Sequence, residues 1–443
     1  MERAVDVITF SYLNEHVDAH GYLNIFDDVE DRFIVSPLVL LIAQQSSNLF
    51  KTKDYDLDRS CFKHYSELKD TDEKYAISFG VCRDPDWWTG VIGGLKNPFD
   101  LLCEDYRKDL SSGRAKLILD SSHEGHHGEW LWDWFHFHLD RCNIQPSQFI
   151  FVTGNWLAER QYENWCKKFN VNNQITVVSH FQFEPVIYGA STENEDLLTT
   201  FKHYKYKEEN FENIALYNCL QKRPRAHRLW LVYYLKLFGL LDEGINTCNT
   251  LNNGVEEVYM LRRRMSKRDI KDLKSILPLF ENEKYMHYDA EHKQAFENVD
   301  CGMFLTKLNE EIMYDSWLTL VSEASFSEED ETCFVSEKTF KPIAVGHPFM
   351  VYGNKNSLKY LRELGYQTFD PYINEEYDSL EGWDRVVAIM RELERLSKLT
   401  PHQKLDWFKQ LLPILRHNKS KMEYNCRVLV SSAIQKVEKA ILC

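Results

Sequence analysis

Ser336, Glu337 and Lys338 have the types and order needed to hold an anion beside hydroxyl groups; they stand near the head of FVSEKTFKPIAVGHPFMVYG, Phe334 to Gly353. Ser336 suits the N-cap of a helix, with Glu337 and Lys338 in its exposed first turn. Backbone N–H groups and the positive end of a helix dipole at such a point favour a phosphate-bearing ligand. Lys338 can add a point charge to a diphosphate, and the Glu337 carboxylate can accept hydrogen bonds from ribose hydroxyls. Thr339 and Lys341 flank the pair. The same letters also describe an ordinary capped helix with a solvated charge pair. In either case the elements must be loop, a helix stopping at Gly346, the turn His347-Pro348, and the apolar strand Phe349–Tyr352.

A second candidate lies upstream. Asn213–Asn218 reads as a strand, and Lys222-Arg223-Pro224-Arg225-Ala226-His227-Arg228 opens a helix that ends at Gly239. Cations at a helix start are unfavourable unless an anion sits among them. Arg225 and Arg228, one turn apart, are therefore candidate phosphate ligands, since a guanidinium can bind two phosphate oxygens at once. The alternative is a solvated basic helix start.

The run SEKTFKPIAVGHPFMVYG resembles the nucleotide-sugar motif of GT-B glycosyltransferases. It is most similar to the alpha-1,3-fucosyltransferase-like and the phage and marine-virus members, whose motif continuation GYQTFDPYINEEYD, Gly365 to Asp378, also resembles. In that group the Glu binds the ribose and the Lys the diphosphate, positions taken here by Glu337 and Lys338. An Arg stands a fixed distance before a hydrophobic-Asp-x-Gly turn, a spacing matched by Arg228 and Leu241-Asp242-Glu243-Gly244. The resemblance adds Ser322 and Glu323 as neighbours of the donor. It implies a GT-B-like α/β fold, two Rossmann-like domains facing a cleft, with C-terminal helices crossing back to the first. It implies transfer of a sugar from a nucleoside diphosphate-sugar, a UDP- or GDP-sugar co-substrate, to an acceptor hydroxyl, with inversion. No cofactor or metal is tightly held on this reading. Arg228, Lys338 and the helix termini would offset the leaving diphosphate's charge. The acceptor would be a glycan or, alternatively, a hydroxymethylated base in phage DNA receiving a glucosyl or arabinosyl group. A non-catalytic nucleotide-sugar-binding module is a further alternative.

Inverting transfer needs a general base for the acceptor hydroxyl. Lys116–Asp120 reads as a strand, followed by the loop Ser121-Ser122-His123-Glu124-Gly125-His126-His127-Gly128-Glu129. Ligand groups in open α/β sheets gather where strands end. Asp120, His123 and Glu124 are the candidates, with Glu124 preferred; Asp120 and Ser121 could instead cap the helix starting near Glu129. His123, His126, His127, His136 and His138 also raise a zinc-dependent hydrolase. They divide between loop and helix, with no HExxH and no Cys partner, so no metal is assigned. Asp54-Tyr55-Asp56 and Asp84-Pro85-Asp86 fit the bare Asp-x-Asp pattern of GT-A enzymes but follow no convincing strand and read as surface loops. Asp86-Trp87-Trp88 offers aromatic faces to an acceptor sugar or base. The basic run Leu261–Arg268 is a solvated face or a contact to a polyanion.

Composition bounds these readings. A chain of 443 residues exceeds one ordinary core, and 44% hydrophobic content supplies packed cores for more than one. The expected division is 1–212, 213–402 and a helical extension 403–443, with Ser191–Glu212 as linker. Short apolar runs at Val5–Tyr12, Tyr75–Cys82, Lys116–Asp120, Phe149–Thr153 and Ile175–His180, with helical patterns between the later ones, predict a parallel sheet in the first half. A buried strand is expected at Tyr314–Glu323, a helix at Ser357–Leu364 and a strand at Gln367–Phe369. No apolar run is long enough to span a bilayer. The opening MERAVDVITFSY carries early charges and reads as a strand rather than a signal peptide. Eleven dispersed cysteines without a CxxC pair fit reduced thiols in a cytoplasm, a host's if the protein is viral. A net charge of −15 disfavours nucleic acid or an anionic membrane as an obligate partner.

Overall fold

The computed structural model describes residues 9–12, 62–80, 98–100, 102–192, 200–221, 224–248, 265–280, 308, 310–327 and 332–442. The readings placed on Asp54-Tyr55-Asp56, Asp84 to Trp88, Lys222-Arg223 and Leu261 to Arg264 lie outside them. The described chain is α/β, with two sheets of mainly parallel strands. It forms two compact units: Met1–Pro185 with Glu331–Phe334 and Cys426–Cys443, and Val186–Asp330 with Val335–Asn425. Among the described residues no helix is long and apolar enough to cross a membrane.

The first unit carries a six-stranded parallel sheet in the order β2-β1-β3-β4-β5-β6. Its strands are β1 (Thr9–Tyr12), β2 (Phe62–His64), β3 (Tyr75–Gly80), β4 (Ala115–Ser121), β5 (Phe149–Thr153) and β6 (Thr176–Ser179). Every residue of β4 and β5 is buried, which is why AKLILDS and FIFVT read as near-continuous apolar runs rather than alternating ones. Helices α1 (Glu104–Ser112), α2 (Glu129–Arg141) and α3 (Ala158–Phe169) connect the later strands. Leu131, Trp132, Phe135 and Leu139 of α2 form one apolar stripe and join Leu117, Leu119, Phe149 and Phe151 in a common core. Between them, His136 bonds the Tyr162 hydroxyl at 2.9 Å, and His138 stacks on Phe99 at 5.4 Å. These two histidines of the α2 helix are thus engaged in packing contacts.

The second unit holds a five-stranded sheet in the order β11-β10-β7-β8-β9. The strands are β7 (Ala215–Leu220), β8 (Gly244–Cys248), β9 (Leu279–Phe280), β10 (Ser316–Ser322) and β11 (Phe349–Tyr352). All neighbours are parallel except β8 and β9. The helices of this unit include α4 (Thr200–Asn210), α5 (Ala226–Leu237), α6 (Glu337–Val345), α7 (Gly382–Ser397) and α8 (Pro401–Leu442), with a short one at Ser357–Glu363 where the sequence predicts it. Helix α8 is 42 residues long; its residues to Asn425 belong to this unit and the remainder to the first. The strand expected at Gln367–Phe369 does not form. Asn418 of α8 takes the place of a neighbouring strand: its Oδ1 accepts from Gln367 N and its Nδ2 donates to Gln367 O, both at 2.8 Å.

Beneath this sheet, where β10 and β11 begin, lies a buried basic cluster. Lys207 Nζ donates to the carbonyls of Met313 (3.0 Å), Tyr314 (2.6 Å) and Ser316. Three acceptors match the three N–H bonds of an ammonium, which argues for the charged form although burial pushes the amine's pKa well down. Beside it, His203 Nε2 and His347 Nδ1 share one hydrogen at 2.7 Å. Burial first, then Lys207, drives both imidazoles well below the usual histidine range. Their folded pKa values are depressed, so above about pH 6.5 neither state binds the extra proton and stability is unaffected. Below it the unfolded chain gains protons that the folded chain refuses, costing up to about 1.4 kcal/mol per histidine per pH unit. Urea unfolding of the second unit, monitored at about pH 7.5 and about pH 5.5, is expected to show this loss. A His203→Leu/His347→Met double variant should flatten the pH dependence, and an equally steep dependence in that variant would contradict the assignment.

Candidate functional site

In the second sheet the connection after β7 passes through α5 to β8 on one side, and that after β10 passes through α6 to β11 on the other. Crossovers leaving two adjacent strands in opposite directions make a topological switch point, where open α/β sheets bind ligands. The ladders show the opening directly. Pairing of β10 with β7 ends at Thr319↔Asn218, while β10 pairs with β11 as far as Ser322↔Tyr352 and β7 pairs with β8 as far as Leu220↔Thr247. The two central strands part before their outer partners do. Asn218 bridges them below the parting, its Nδ2 donating to Ser316 Oγ at 2.7 Å and Thr319 Oγ1 at 3.0 Å. At the mouth stand Ser322, the last residue of β10, and Gln221, the first after β7. Both are only 2% exposed, and Ser322 Oγ and Gln221 Oε1 lack a hydrogen-bond partner among the described residues. Buried polar atoms without partners cost about 1–3 kcal/mol each, so their presence calls for a reason.

Helix α6 starts at this mouth. Ser336 is its N-cap, as the sequence predicts, with Oγ accepting from Lys338 N at 3.3 Å. Gly346 closes the helix in the left-handed region at φ 74°. The start is less open than expected, however. Glu323, 1% exposed just after β10, accepts at its carboxylate from Ala324 N (3.0 Å), Ser336 N (3.2 Å), Ser336 Oγ and Thr339 Oγ1 (2.6 Å). The hydroxyls of Ser336 and Thr339 therefore face inward and orient the helix start. Gly353 allows the end of β11 to approach, since a Cβ there would lie 2.7 Å from Glu323 Cβ. Lys338 and Glu337 remain half-buried at the surface of the turn and pair with each other. Burial raises the Glu337 carboxyl, but Lys338, Lys341 and hydrogen bonds outweigh it and bring the pKa down to about 2.

Helix α5 brings further cations to the same end of the sheet. Arg225 donates to Ala324 O, and Arg228 Nη2 to Glu323 O at 3.0 Å. Arg228 is 4% exposed; burial first, then Arg225, lowers its pKa to about 10. His227 stands between them, a residue the sequence marks only as part of a basic run. Its Nε2 lies 3.1 Å from Glu323 O, and its ring stacks on Phe326 at 5.1 Å. Thus the structure brings Arg225, Arg228, Ser336, Glu337, Lys338 and Thr339 to the carboxyl ends of two adjacent strands.

In the first unit Asp120 lies in β4, fully buried, with Oδ1 accepting from Ser122 N at 2.8 Å. Helix α2 is capped by Gly128 without a side chain, so Asp120 and Ser121 do not cap it. His123 meets Phe183 edge-on at 5.6 Å. Glu124 N donates to Ser121 O at 3.0 Å, and its carbonyl accepts from Gly154 N at 3.0 Å. The second of these bonds docks the loop on the end of β5. The switch point of this sheet falls between β1 and β3, and Asp120 pairs with Gly80 at the end of β3, directly beside it. His180, following β6, is buried near Asp120, whose charge opposes the lowering of its pKa by burial. Its place at the end of an apolar run was the one sequence signal for it.

No protein-family model matches the chain, and no curated protein matches it.

If Ser322 Oγ and Gln221 Oε1 serve a ligand rather than the fold, apolar replacements should cost the fold little. Ser322→Ala is expected to leave the urea midpoint unchanged or to raise stability by up to about 1 kcal/mol, and Gln221→Leu to lose no more than the bond its Nε2 makes to Cys219 Sγ, about 1 kcal/mol. A loss above about 1 kcal/mol in Ser322→Ala, or above about 2 kcal/mol in Gln221→Leu, would show that the atoms are bonded within the protein.

Proposed function

We propose that the second unit binds a nucleoside diphosphate-sugar and that the protein is a glycosyltransferase of GT-B type, passing the sugar to an acceptor hydroxyl with inversion. The observation that carries this reading is the opening between β7 and β10. Two helix starts, the cations Arg225, Arg228 and Lys338, and two buried polar atoms without partners converge there. Such a mouth suits a diphosphate flanked by hydroxyl-bearing groups. The likeness of Ser336 to Gly353 to the nucleotide-sugar motif supports the same choice, with Glu337 accepting from ribose hydroxyls. Its low pKa keeps it an acceptor throughout the neutral range. As the bond from sugar carbon to diphosphate breaks, negative charge grows on the leaving oxygens, and Arg228 and Lys338 offset it. The acceptor's proton goes to a base, Glu124 in the preferred reading, with Asp120 and His123 as the other candidates. The donor is a UDP- or GDP-sugar used as co-substrate.

A ligand that binds only the folded state raises the melting temperature by mass action. A thermal-shift screen of UDP-, GDP-, CMP- and dTDP-sugars should give a rise of a few degrees with one nucleotide class. Lys338→Ala should bind that donor roughly tenfold more weakly, in line with loss of one charged contact, and Ser322→Ala should also weaken it. No shift with any of the four, at millimolar donor, would overturn the reading.

A further inference from the structure

His227 is the residue at this site whose charge is not fixed. Its Nε2 faces the carbonyl of Glu323, which can only accept, so Nε2 carries the hydrogen and Nδ1 the lone pair of a neutral ring. Among the described residues Nδ1 has no hydrogen-bond partner. One face of the ring is laid on Phe326, the two planes 7° apart, and Tyr352 lies 6.2 Å away. The charged groups around it are Arg225 and Arg228 on α5, Lys338 and Glu337 on α6, Glu323 after β10, and Arg385 on α7, whose guanidinium lies 5.8 Å from both aromatic rings. Burial, Arg228, Arg225 and Lys338 all disfavour a proton here, while the bond to the Glu323 carbonyl favours one; together they push the imidazole down to about 3. The ring is therefore neutral at physiological pH, although it sits where an anion would be received.

We propose that His227 is an additional donor-binding residue that becomes a cation only when a diphosphate binds, taking up a proton at Nδ1 and donating it in a hydrogen bond to a phosphate oxygen. This rests on the reading of the second unit as a nucleoside diphosphate-sugar site. The physical basis is the sign of the local field. Without the ligand the ring is surrounded mainly by positive charge. A bound diphosphate diester adds two negative charges among the same arginines and lysine. At about 5 Å and an effective dielectric near 20, each is worth roughly two pKa units in favour of the imidazolium. That is sufficient to carry the ring from about 3 into the neutral range. The bond to Glu323 O survives the change, because Nε2 donates in both states. Binding is then coupled to uptake of a proton, and a donor held at low pH is released as pH rises.

The sign follows from linkage. The bound state has the higher pKa and holds more protons, so affinity strengthens as pH falls through the bound-state value and levels off only below the free one. Titration calorimetry of the whole chain with UDP-glucose and GDP-mannose, in two buffers of different ionisation enthalpy, reads the uptake directly. Neither diphosphodiester titrates in the range used, so any proton belongs to the protein. The expected result is uptake approaching one proton per donor bound, with the dissociation constant tightening by up to about tenfold per pH unit between about pH 8 and about pH 6. His227→Gln, whose amide can keep the bond to Glu323 O, and His227→Phe, which keeps the stack on Phe326, should bind with no uptake and a flat pH dependence. Wild-type binding without proton uptake, or uptake that persists in either variant, would overturn the role of His227 and leave the nucleotide site standing. Failure of wild type to bind either probe would remove that site and this inference together.

Discussion

The carboxylate of Glu323 holds the carboxyl end of the second sheet together at the parting of β7 and β10. It is buried at the tip of β10 and receives two backbone N–H groups and two hydroxyls, from Ala324, Ser336 and Thr339. Hydrogen bonds to a charged acceptor contribute about 1.5–3 kcal/mol each, which offsets the cost of taking a carboxylate out of water. Its backbone carbonyl holds the other side of the opening, receiving His227 and Arg228 from α5. One residue thereby sets the distance between two helix starts whose strands are adjacent in space but about 100 residues apart in sequence, an interval spanned by the bonds it makes. A side chain shortened at 323 would release the start of α6, while the carbonyl would still hold α5.

This arrangement changes the expected source of anion affinity. The leading N–H groups of α6 are engaged with Ser336, and Ser336 with Glu323, so the helix dipole contributes through space while direct contact falls to side chains. Arg228 is confined by burial and by its bond to Glu323 O; Lys338, 27% exposed and paired among the described residues only with its neighbour Glu337 and Ser336, stands on a long stem that can turn to a ligand. The depressed pKa values of Arg228 and His227 have a common origin, burial first and then the like charges crowded beside them. An anion relieves both.

Local features were legible in the sequence. Phe149–Thr153 and Phe349–Tyr352 are strands with the predicted limits, Lys116–Asp120 lies within β4, and Ser336 and Gly346 bound α6. Each rests on a short-range rule, namely an apolar run, a hydroxyl cap or a glycine at positive φ. Features that depend on sheet order were not legible. That β7 lies against β10 rather than beside a nearer strand cannot be read from either segment, so the parting at their ends and the two unpartnered atoms there had no sequence signal. Glu323 is expected beside the donor by resemblance alone; that its carboxylate makes four bonds tying the helix start to β10 had no sequence signal. His227 was one letter in a basic run until Phe326, 99 positions on, supplied the face it stacks against. Gln367–Phe369 had strand-like composition, but Asn418 from α8 supplied the hydrogen bonds a neighbouring strand would have made.

On the proposed function, the opening between β7 and β10 receives a diphosphate. A crystal structure of the protein with the nucleoside diphosphate that binds it would show the site. Phosphate oxygens are expected within hydrogen-bond reach of Ser322 Oγ or Gln221, with Arg228 and Lys338 on either side. Phosphates bound elsewhere on the chain, with Ser322 and Gln221 untouched, would contradict it.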